Sequence, residues 1–526
     1  MLVENIETLH ATLTESSWRR LNSFLHSVEK GQPVNYVTPF LPKEWRNDEL
    51  GYGAHLLKKF GSTGVPLMDE IESKESQKFG PTSIRAPWDV RKDGVMEYFS
   101  QKKVDNNATL QRAFDTLAKA IKPHSLRPLS IRAAFNAAPK GKNLGLPAFT
   151  ADKSFEQDYL RRVESIAAGG WKEKIFPAVV GWRGQPNGST TLIKNRVVWM
   201  VDHAETYAGT GVIQVMLDAL RDQPGFAAWN ELSVVDRRVT SIIDRSKAPI
   251  MSVDFSSFDK SLPRAVIELA FSLMEYWFVG SARSQINWLR DQFLNMPIVT
   301  PSGILSGRDG GVPSGDSGTN MIDSLSQIIM AYAASYDLGY SLRDIEVLGD
   351  DGIYSFDNTV DVEALSSYYM DRFGMEVSSD KGGYSADNVL FLQRLHTRSY
   401  RRHGLCVGMR SIIRTLNGIC HLERLNSKLP PEFFSARAIM SAENARWHPQ
   451  FSKLVKHLFD NDKYMRTLDP STIFVRAGGT EFVEEVLGLR SYRFTSELPT
   501  RGLDNFATVI ELRRLQGRSR KVKDSA

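Results

Sequence analysis

Two short acidic runs carry the residue types from which a metal-dependent phosphoryl-transfer site is built: Gly349-Asp350-Asp351 and, further upstream, Ser252-Val253-Asp254-Phe255. A glycine followed by an aspartate suits a two-residue hairpin loop with Gly at its first central position. Asp350 then sits at the tip, and Asp351 begins the return strand. Val347 and Leu348 before the turn, and Ile353 and Tyr354 after it, bury the flanks and leave two carboxylates crowded at one edge. Crowded carboxylates repel, and the arrangement is tolerable when a divalent cation neutralises them. The plain alternative is a surface turn, in which Asp and Gly are favoured. Asp254 closes an apolar strand, where a charge needs a partner or water. If the two strands pair, Asp254 and Asp350 face one pair of metal ions about 3.5 to 4 Å apart, the arrangement used for in-line displacement at phosphorus. Oxygen-only donors favour Mg2+, with Mn2+ as a substitute.

The elements that must hold these acids follow from periodicity. From Pro249 the chain reads as a strand, a turn containing Asp259, and a helix with Val266, Leu269, Ala270, Leu273 and Trp277 on one face. A loop with Gly310, Gly311, Ser314, Gly315 and Gly318 leads into a second helix from Thr319 to Ala334, and two short strands flank Gly349-Asp350. This order gives an antiparallel sheet backed by helices, an α+β arrangement. Helical periodicity dominates both ends, with Leu13, Trp18, Leu21, Phe24 and Leu25 early and Phe451, Leu454, Val455 and Leu458 late.

Taken together and in order, these segments resemble the viral RNA-dependent RNA polymerases. Asp254 and Asp259 look like motif A, Ser314-Gly315 with Thr319 like motif B, and Gly349-Asp350-Asp351 like motif C. The wording GVPSGDSGTNMIDSL is most similar to double-stranded RNA viruses of the picobirnavirus and partitivirus kind. The resemblance implies that Asp254 and Asp350 bind both metals, supported by Asp351. It makes Asp259 a sensor of the ribose 2′-hydroxyl, although a helix N-terminal Asp favoured by the macrodipole also explains that position. Thr319 and Asp323 share a helix face, with Asn320 close by. The commonest family pattern has Asn where Asp323 stands, so either Asn320 or Asp323 completes ribose recognition.

Upstream, GWRGQPNGSTTLIKNRVVWM resembles motif F, the basic element over the triphosphate. Strand alternation puts Lys194 and Arg196 on one side, opposite Ile193 and Val197, with Arg183 joining from the preceding arm. The alternative is a half-exposed strand with its basic face in water. Lys381 stands where the family has its motif D lysine, a general acid for the departing pyrophosphate. Phe391 and Arg394 resemble motif E beside the primer strand, and Gly145 and Pro147 resemble the template-guiding motif G. The implied architecture is a right hand of fingers, palm and thumb. Residues 1–90 bridge fingers and thumb, 91–248 form the fingers, 249–395 the palm with a fingers insertion near 281–300, and 396–526 the thumb and a basic tail. The implied partners are an RNA template and nascent strand, NTPs and a viral capsid protein, and the implied location is the virion interior and host cytoplasm.

Composition sets the remaining bounds. The 526 residues, 42% hydrophobic and 24% charged, suffice for several packed subdomains. Two cysteines exclude a disulfide framework and a four-cysteine zinc site. The first twenty residues lack the basic start and apolar run of a secretory signal, and the apolar stretch Ala265 to Gly280 is interrupted by Glu268 and Glu275, so no membrane partner is expected. A net charge of +5 permits nucleic-acid binding without demonstrating it. Arg513, Arg514, Arg518, Arg520, Lys521 and Lys523 read as a mobile basic extension. A reverse transcriptase relative is disfavoured because Asp259 stands where an enzyme excluding the 2′-hydroxyl needs a bulky residue. A non-catalytic RNA- or capsid-binding protein is disfavoured because clustered acids repel phosphate.

Overall fold

The computed structural model describes residues 1–100, 103–121, 125–189, 193–377, 383–424, 428–487 and 502–524, with the side chains of the last helix described as far as residue 517. Its centre is a four-stranded antiparallel sheet in the order Gly383–Ser385, Ile250–Val253, Asp351–Phe356, Leu342–Leu348. Ile250–Val253 is buried on both faces, and its side chains alternate between two cores. Met251 and Val253 pack with the helices Arg264–Trp277 and Thr319–Leu338, whereas Ile250 joins Ile353 and the residues Val235, Val239, Ile242 and Ile243 of the helix Leu232–Arg245. A sheet covered on both faces holds its strand ends rigidly, which suits residues that must keep fixed positions.

A second sheet is assembled from remote parts of the chain. Its order is Leu2–Glu4, Gly303–Ser306, Ile298–Thr300, Ala178–Gln185, Lys194–Met200, and all contacts are antiparallel except that of Ala178–Gln185 with Ile298–Thr300. The helix Glu15–Lys30 lays Trp18, Leu21 and Leu25 on Val179, Val299 and Ile304, as its apolar spacing predicts. Trp88, Tyr98, Trp182 and Trp199 fill the opposite face. The chain therefore leaves the central sheet after Trp277, forms the helix Arg283–Asn295, and contributes to this second sheet through Ser306 before returning.

The C-terminal layer is helical: Ile412–Cys420, Pro431–Glu443, Phe451–Asn461, Pro470–Arg476 and Ala507–Asp524 share one core with Phe40, Tyr52, Leu56 and Phe60 from the N-terminal region. Buried acids weld that junction. Glu72 accepts from the Ser411 hydroxyl (2.6 Å) and from the amides of Ile412 (2.7 Å) and Ile413 (3.1 Å), capping the helix that starts there. Glu49 meets His421 at 2.9 Å. The first ninety residues thus touch both the second sheet and the C-terminal layer.

The expectation of a mobile basic extension is corrected for Arg513 and Arg514; the side chains of Arg518, Arg520, Lys521 and Lys523 lie outside the described residues. Val509, Leu512 and Leu515 are buried on one face of the last helix, so its start belongs to the C-terminal core. Arg513 pairs with Asp469 (2.9 Å) and Asp504 (2.7 Å), and Arg514 pairs with Glu511. Among the described residues no helix is long and apolar enough to cross a membrane.

Candidate active site

The two acidic strands do pair. Val253 faces Gly352 and Leu348 faces Asp351, which makes Gly349-Asp350 a two-residue loop and, continuing the register by one residue, sets Asp254 opposite Asp351. Gly349 has φ of 63° and Asp350 does not share the positive φ, the sign pattern of a type II′ turn with glycine first. The loop is tied down from behind, because the Gly349 amide donates to Ser324 Oγ (2.9 Å) and Gln327 Nε2 donates to the Asp350 carbonyl (3.2 Å).

Other acids crowd the same point. Burial, then the charge of Asp350, raises the Asp259 carboxyl to about 6, with Arg196 acting against the shift. Asp323 is 3% exposed, and burial followed by the charges of Asp259 and Asp350 holds it well above the usual carboxylate range. So Asp323 is brought to the acidic cluster. Asn320 lies beside the acidic turn, its Nδ2 3.3 Å from where a Cβ on Gly349 would stand, while its Oδ1 accepts from Trp229 Nε1 (3.0 Å) and it lines a second cavity of about 640 Å³.

The donor set fits a hard divalent cation, being carboxylate oxygens crowded closely enough to repel one another. Among the described residues, however, no three metal-binding side chains converge into a ready cage.

A cleft of about 490 Å³ opens over the acids, and its lining includes Asp350, Asp259 and Ser314 as well as Arg183, Lys194 and Arg196. Lys194 and Arg196 are exposed on one face of their strand while Val197 and Trp199 are buried on the other. Arg183 and Arg196 are directly cross-strand neighbours. Like charges so placed repel, relieved in part by Glu423, 3.3 Å from Arg183, and by Asp259 near Arg196. A polyanion in the cleft would relieve that repulsion.

The loop before Thr319 presses against the same strand. Ser314 Oγ donates to the Val197 carbonyl (2.8 Å), and at Gly315 a Cβ would fall on the Trp199 carbonyl, 3.1 Å from its carbon and closer still to its oxygen. Thr319 Oγ1 donates to the Pro313 carbonyl (2.9 Å), so it closes the loop and stays outside the cleft lining. A buried acid pair that sequence reading missed anchors the other side. Ser317 Oγ donates to Glu205 Oε1 (3.0 Å), the Gly318 amide donates to Asp316 Oδ1 (2.8 Å), and the two carboxyls lie within hydrogen-bonding reach of each other. Burial raises Asp316 to about 7, and burial with the charge of Asp316 holds Glu205 well above its usual range, so one shared proton supplies the donor the pair lacks.

Several expected residues are not brought to this cleft. Phe391 is 1% exposed and belongs to the core, and Arg394 is buried, donating to the carbonyls of Asn444 (2.9 Å) and Gly408 (3.3 Å). The reason is the hairpin tip: Leu392 and Gln393 both adopt positive φ, which turns Gln393 into the cleft in place of its neighbours. Gly145 and Pro147 also lie elsewhere. Gly145 has φ of 67°, a Cβ there would overlap the Val201 carbonyl, and Pro147 lines a small apolar cavity with Phe155 and Tyr159. Lys381 lies outside the described residues. Conversely, Tyr98, Lys260 and Arg414 line the cleft without having been expected there.

Paired acidic strands beneath a basic strand and a glycine-bearing loop define a polymerase-type nucleotidyl-transfer site, and residues 180–407 match the family model of the viral RNA-dependent RNA polymerases. That match supports RNA-directed RNA synthesis by a nucleotidyltransferase enzyme. The chain is 27% identical over 470 residues, 84% of its length and 85% of the relative's, to the potential RNA-dependent RNA polymerase of a human picobirnavirus strain. A shorter similarity, 26% over 158 residues and 11% of the relative's length, links it to the non-structural polyprotein 1AB of mink astrovirus 1. In fold it matches the crystal structure of a human picobirnavirus RNA-dependent RNA polymerase with a TM-score of 0.76 at 23% identity, covering 95% of this chain and 99% of that one. An insertion-loop deletion mutant of that polymerase matches at 0.74.

Proposed function

We propose that the chain replicates and transcribes a viral double-stranded RNA genome by two-metal-ion transfer of nucleotides from NTPs to an RNA 3′-hydroxyl. The observation that carries this reading is the single cleft in which Asp350 and Asp259 stand below Arg183, Lys194 and Arg196. Asp254 and Asp350, with Asp351, would hold Mg2+ or Mn2+, which when bound favours the ionised 3′-oxygen and balances charge on pyrophosphate. Lys194 and Arg196 draw the triphosphate into the cleft by charge-assisted hydrogen bonds. Asp259, Ser314 and Asp323 face the sugar, and the Asp323 carboxyl, held above the usual range by burial and then by the charges of Asp259 and Asp350, stands where the commonest family pattern has Asn. In the transfer, the 3′-oxygen bonds to the α-phosphorus, the bond to the bridging oxygen breaks, and pyrophosphate leaves.

On this reading the central sheet and its helices are the palm, the second sheet and the helices around it the fingers, and the C-terminal layer the thumb. Residues 1–90 then tie fingers to thumb. Association with a capsid protein, and work inside the virion and in the host cytoplasm, belong to the same proposal.

The test is incorporation of labelled NTPs and dNTPs on a single-stranded RNA template with Mg2+, comparing wild type with Asp254→Ala and Asp350→Ala. RNA synthesis lost in both variants is the expected result. Synthesis from dNTPs alone would move the assignment to a reverse transcriptase, and undiminished synthesis in Asp350→Ala would refute the metal-binding role.

A further inference from the structure

Arg410 is a cation that the fold leaves unmatched. It follows Met409, which exchanges two backbone hydrogen bonds of 2.9 Å with Leu395, so continuing that register by one residue sets Arg410 opposite Arg394 and on the same face. It also stands four residues before Arg414, just ahead of the helix Ile412–Cys420, whose first amides Glu72 already caps. Three guanidinium groups therefore meet at one corner. Arg394 donates to the carbonyls of Asn444 (2.9 Å) and Gly408 (3.3 Å), and Arg414 ion-pairs Glu75 at 3.3 Å. Arg410 is partly buried, and among the described residues its guanidinium makes neither a hydrogen bond nor an ion pair.

Such a corner is unfavourable without an anion. Burial, then the charges of Arg394 and Arg414, weigh against the charged form of Arg410, with Glu75 acting the other way. A guanidinium nevertheless keeps its proton, so the charge stays and favours an anion from outside the chain. Position says which anion. Arg414 and Gln393 line the cleft over the acids, and Asn444, to which Arg394 donates, lines the cavity of about 640 Å³. Arg410 is tied by its register to one wall and by its helix to the other, and belongs to neither lining. An anion held there is thus separate from the triphosphate, which Lys194 and Arg196 face, and the other polyanion such an enzyme holds is RNA. We propose that Arg410 binds a backbone phosphate of the template–product RNA through the paired N–H groups of its guanidinium. The proposal rests on the polymerase reading above.

Arg410→Gln removes the charge, and Arg410→Lys keeps it. Binding of a primed RNA to the full chain is measured by fluorescence anisotropy over a range of salt, with thermal melting beside it. Arg410→Gln should bind about tenfold more weakly, with a salt slope shallower by about 1, while Arg410→Lys keeps the wild-type slope. Because the side chain has no partner to lose, melting without RNA should not fall. A second series places one neutral methylphosphonate linkage at each position in turn along primer and template. The linkage that weakens binding to wild type and leaves Arg410→Gln indifferent identifies the strand that carries the phosphate. Wild-type affinity and slope in Arg410→Gln, or equal losses in both enzymes at every linkage, would overturn the proposal. An Arg410→Gln chain that melts well below wild type would overturn it too, since the side chain would then serve the fold. An Asp350→Ala enzyme as active as wild type would overturn the polymerase reading while leaving RNA affinity untouched, which separates the two failures.

Discussion

Substituting Gly315 by alanine should disable the enzyme without unfolding it. The added Cβ would overlap the Trp199 carbonyl, and one side of that contact must move. The strand cannot yield, because Lys194–Met200 is paired along its length with Ala178–Gln185 and Trp199 is 1% exposed. The loop must withdraw instead, by roughly 1 Å, and a misplacement of that size costs on the order of 100-fold in turnover. It also pulls Ser314 from the Val197 carbonyl, which it meets at 2.8 Å. Gly318→Ala is the control: its Cβ would meet nothing nearer than Asp316 Oδ1 at 3.4 Å, and its φ of −88° suits alanine. Single-nucleotide incorporation on a primed RNA template reads both variants. Gly315→Ala turning over at the wild-type rate, or no slower than Gly318→Ala, would refute the argument that this loop is held in register by backbone contact.

Asp316→Asn gives the buried acid pair a permanent donor. A carboxyl raised by folding from 3.8 to about 7 keeps its proton in the native state while the unfolded chain loses it, so wild-type stability falls as pH rises through that window, on the order of 1 kcal/mol per unit. The variant should show a shallower slope, Glu205, Asp259 and Asp323 keeping their own shares, and melting curves parallel to wild type across the window would count against a shared proton. Gln393→Ala should weaken RNA or nucleotide binding with little change in melting, whereas Arg394→Ala should leave two carbonyls unpaired and cost about 2 kcal/mol or more of stability; the reverse pattern would contradict the placement of the hairpin tip. Glu72→Ala strips the cap from Ile412, Ile413 and Ser411 and should lower the urea midpoint by about 3 kcal/mol equivalent, an effect absent if N-terminal and C-terminal regions unfold independently.

What was legible in the sequence was local. Gly349 before Asp350 specified the turn, and strand alternation put Lys194 and Arg196 on one face, because both signals depend on neighbouring residues alone. The last helix was misjudged although Val509, Leu512 and Leu515 carry a helical spacing, since the run of basic residues drew attention from it. Phe391 and Arg394 turn from the cleft because positive φ at Leu392 and Gln393, residues that rarely adopt it, brings Gln393 to it instead. Tyr98, Arg414 and Glu205 had no local signature. Their roles arise where remote segments meet, as in a sheet that joins residues 2–4, 178–200 and 298–306.

The cleft is built from two walls that are each unfavourable alone. Below, Asp259 and Asp323 are pushed toward their neutral forms by burial and by Asp350. Above, Arg183 and Arg196 oppose each other across a strand pair, with Glu423 only partly relieving one of them. Bringing in a cation alone would satisfy the acids and worsen the basic wall, and a bare triphosphate would do the reverse. A nucleotide accompanied by divalent cations satisfies both together, so binding of the two should be mutually reinforcing. That coupling follows from charge placement before any motion of the chain is invoked.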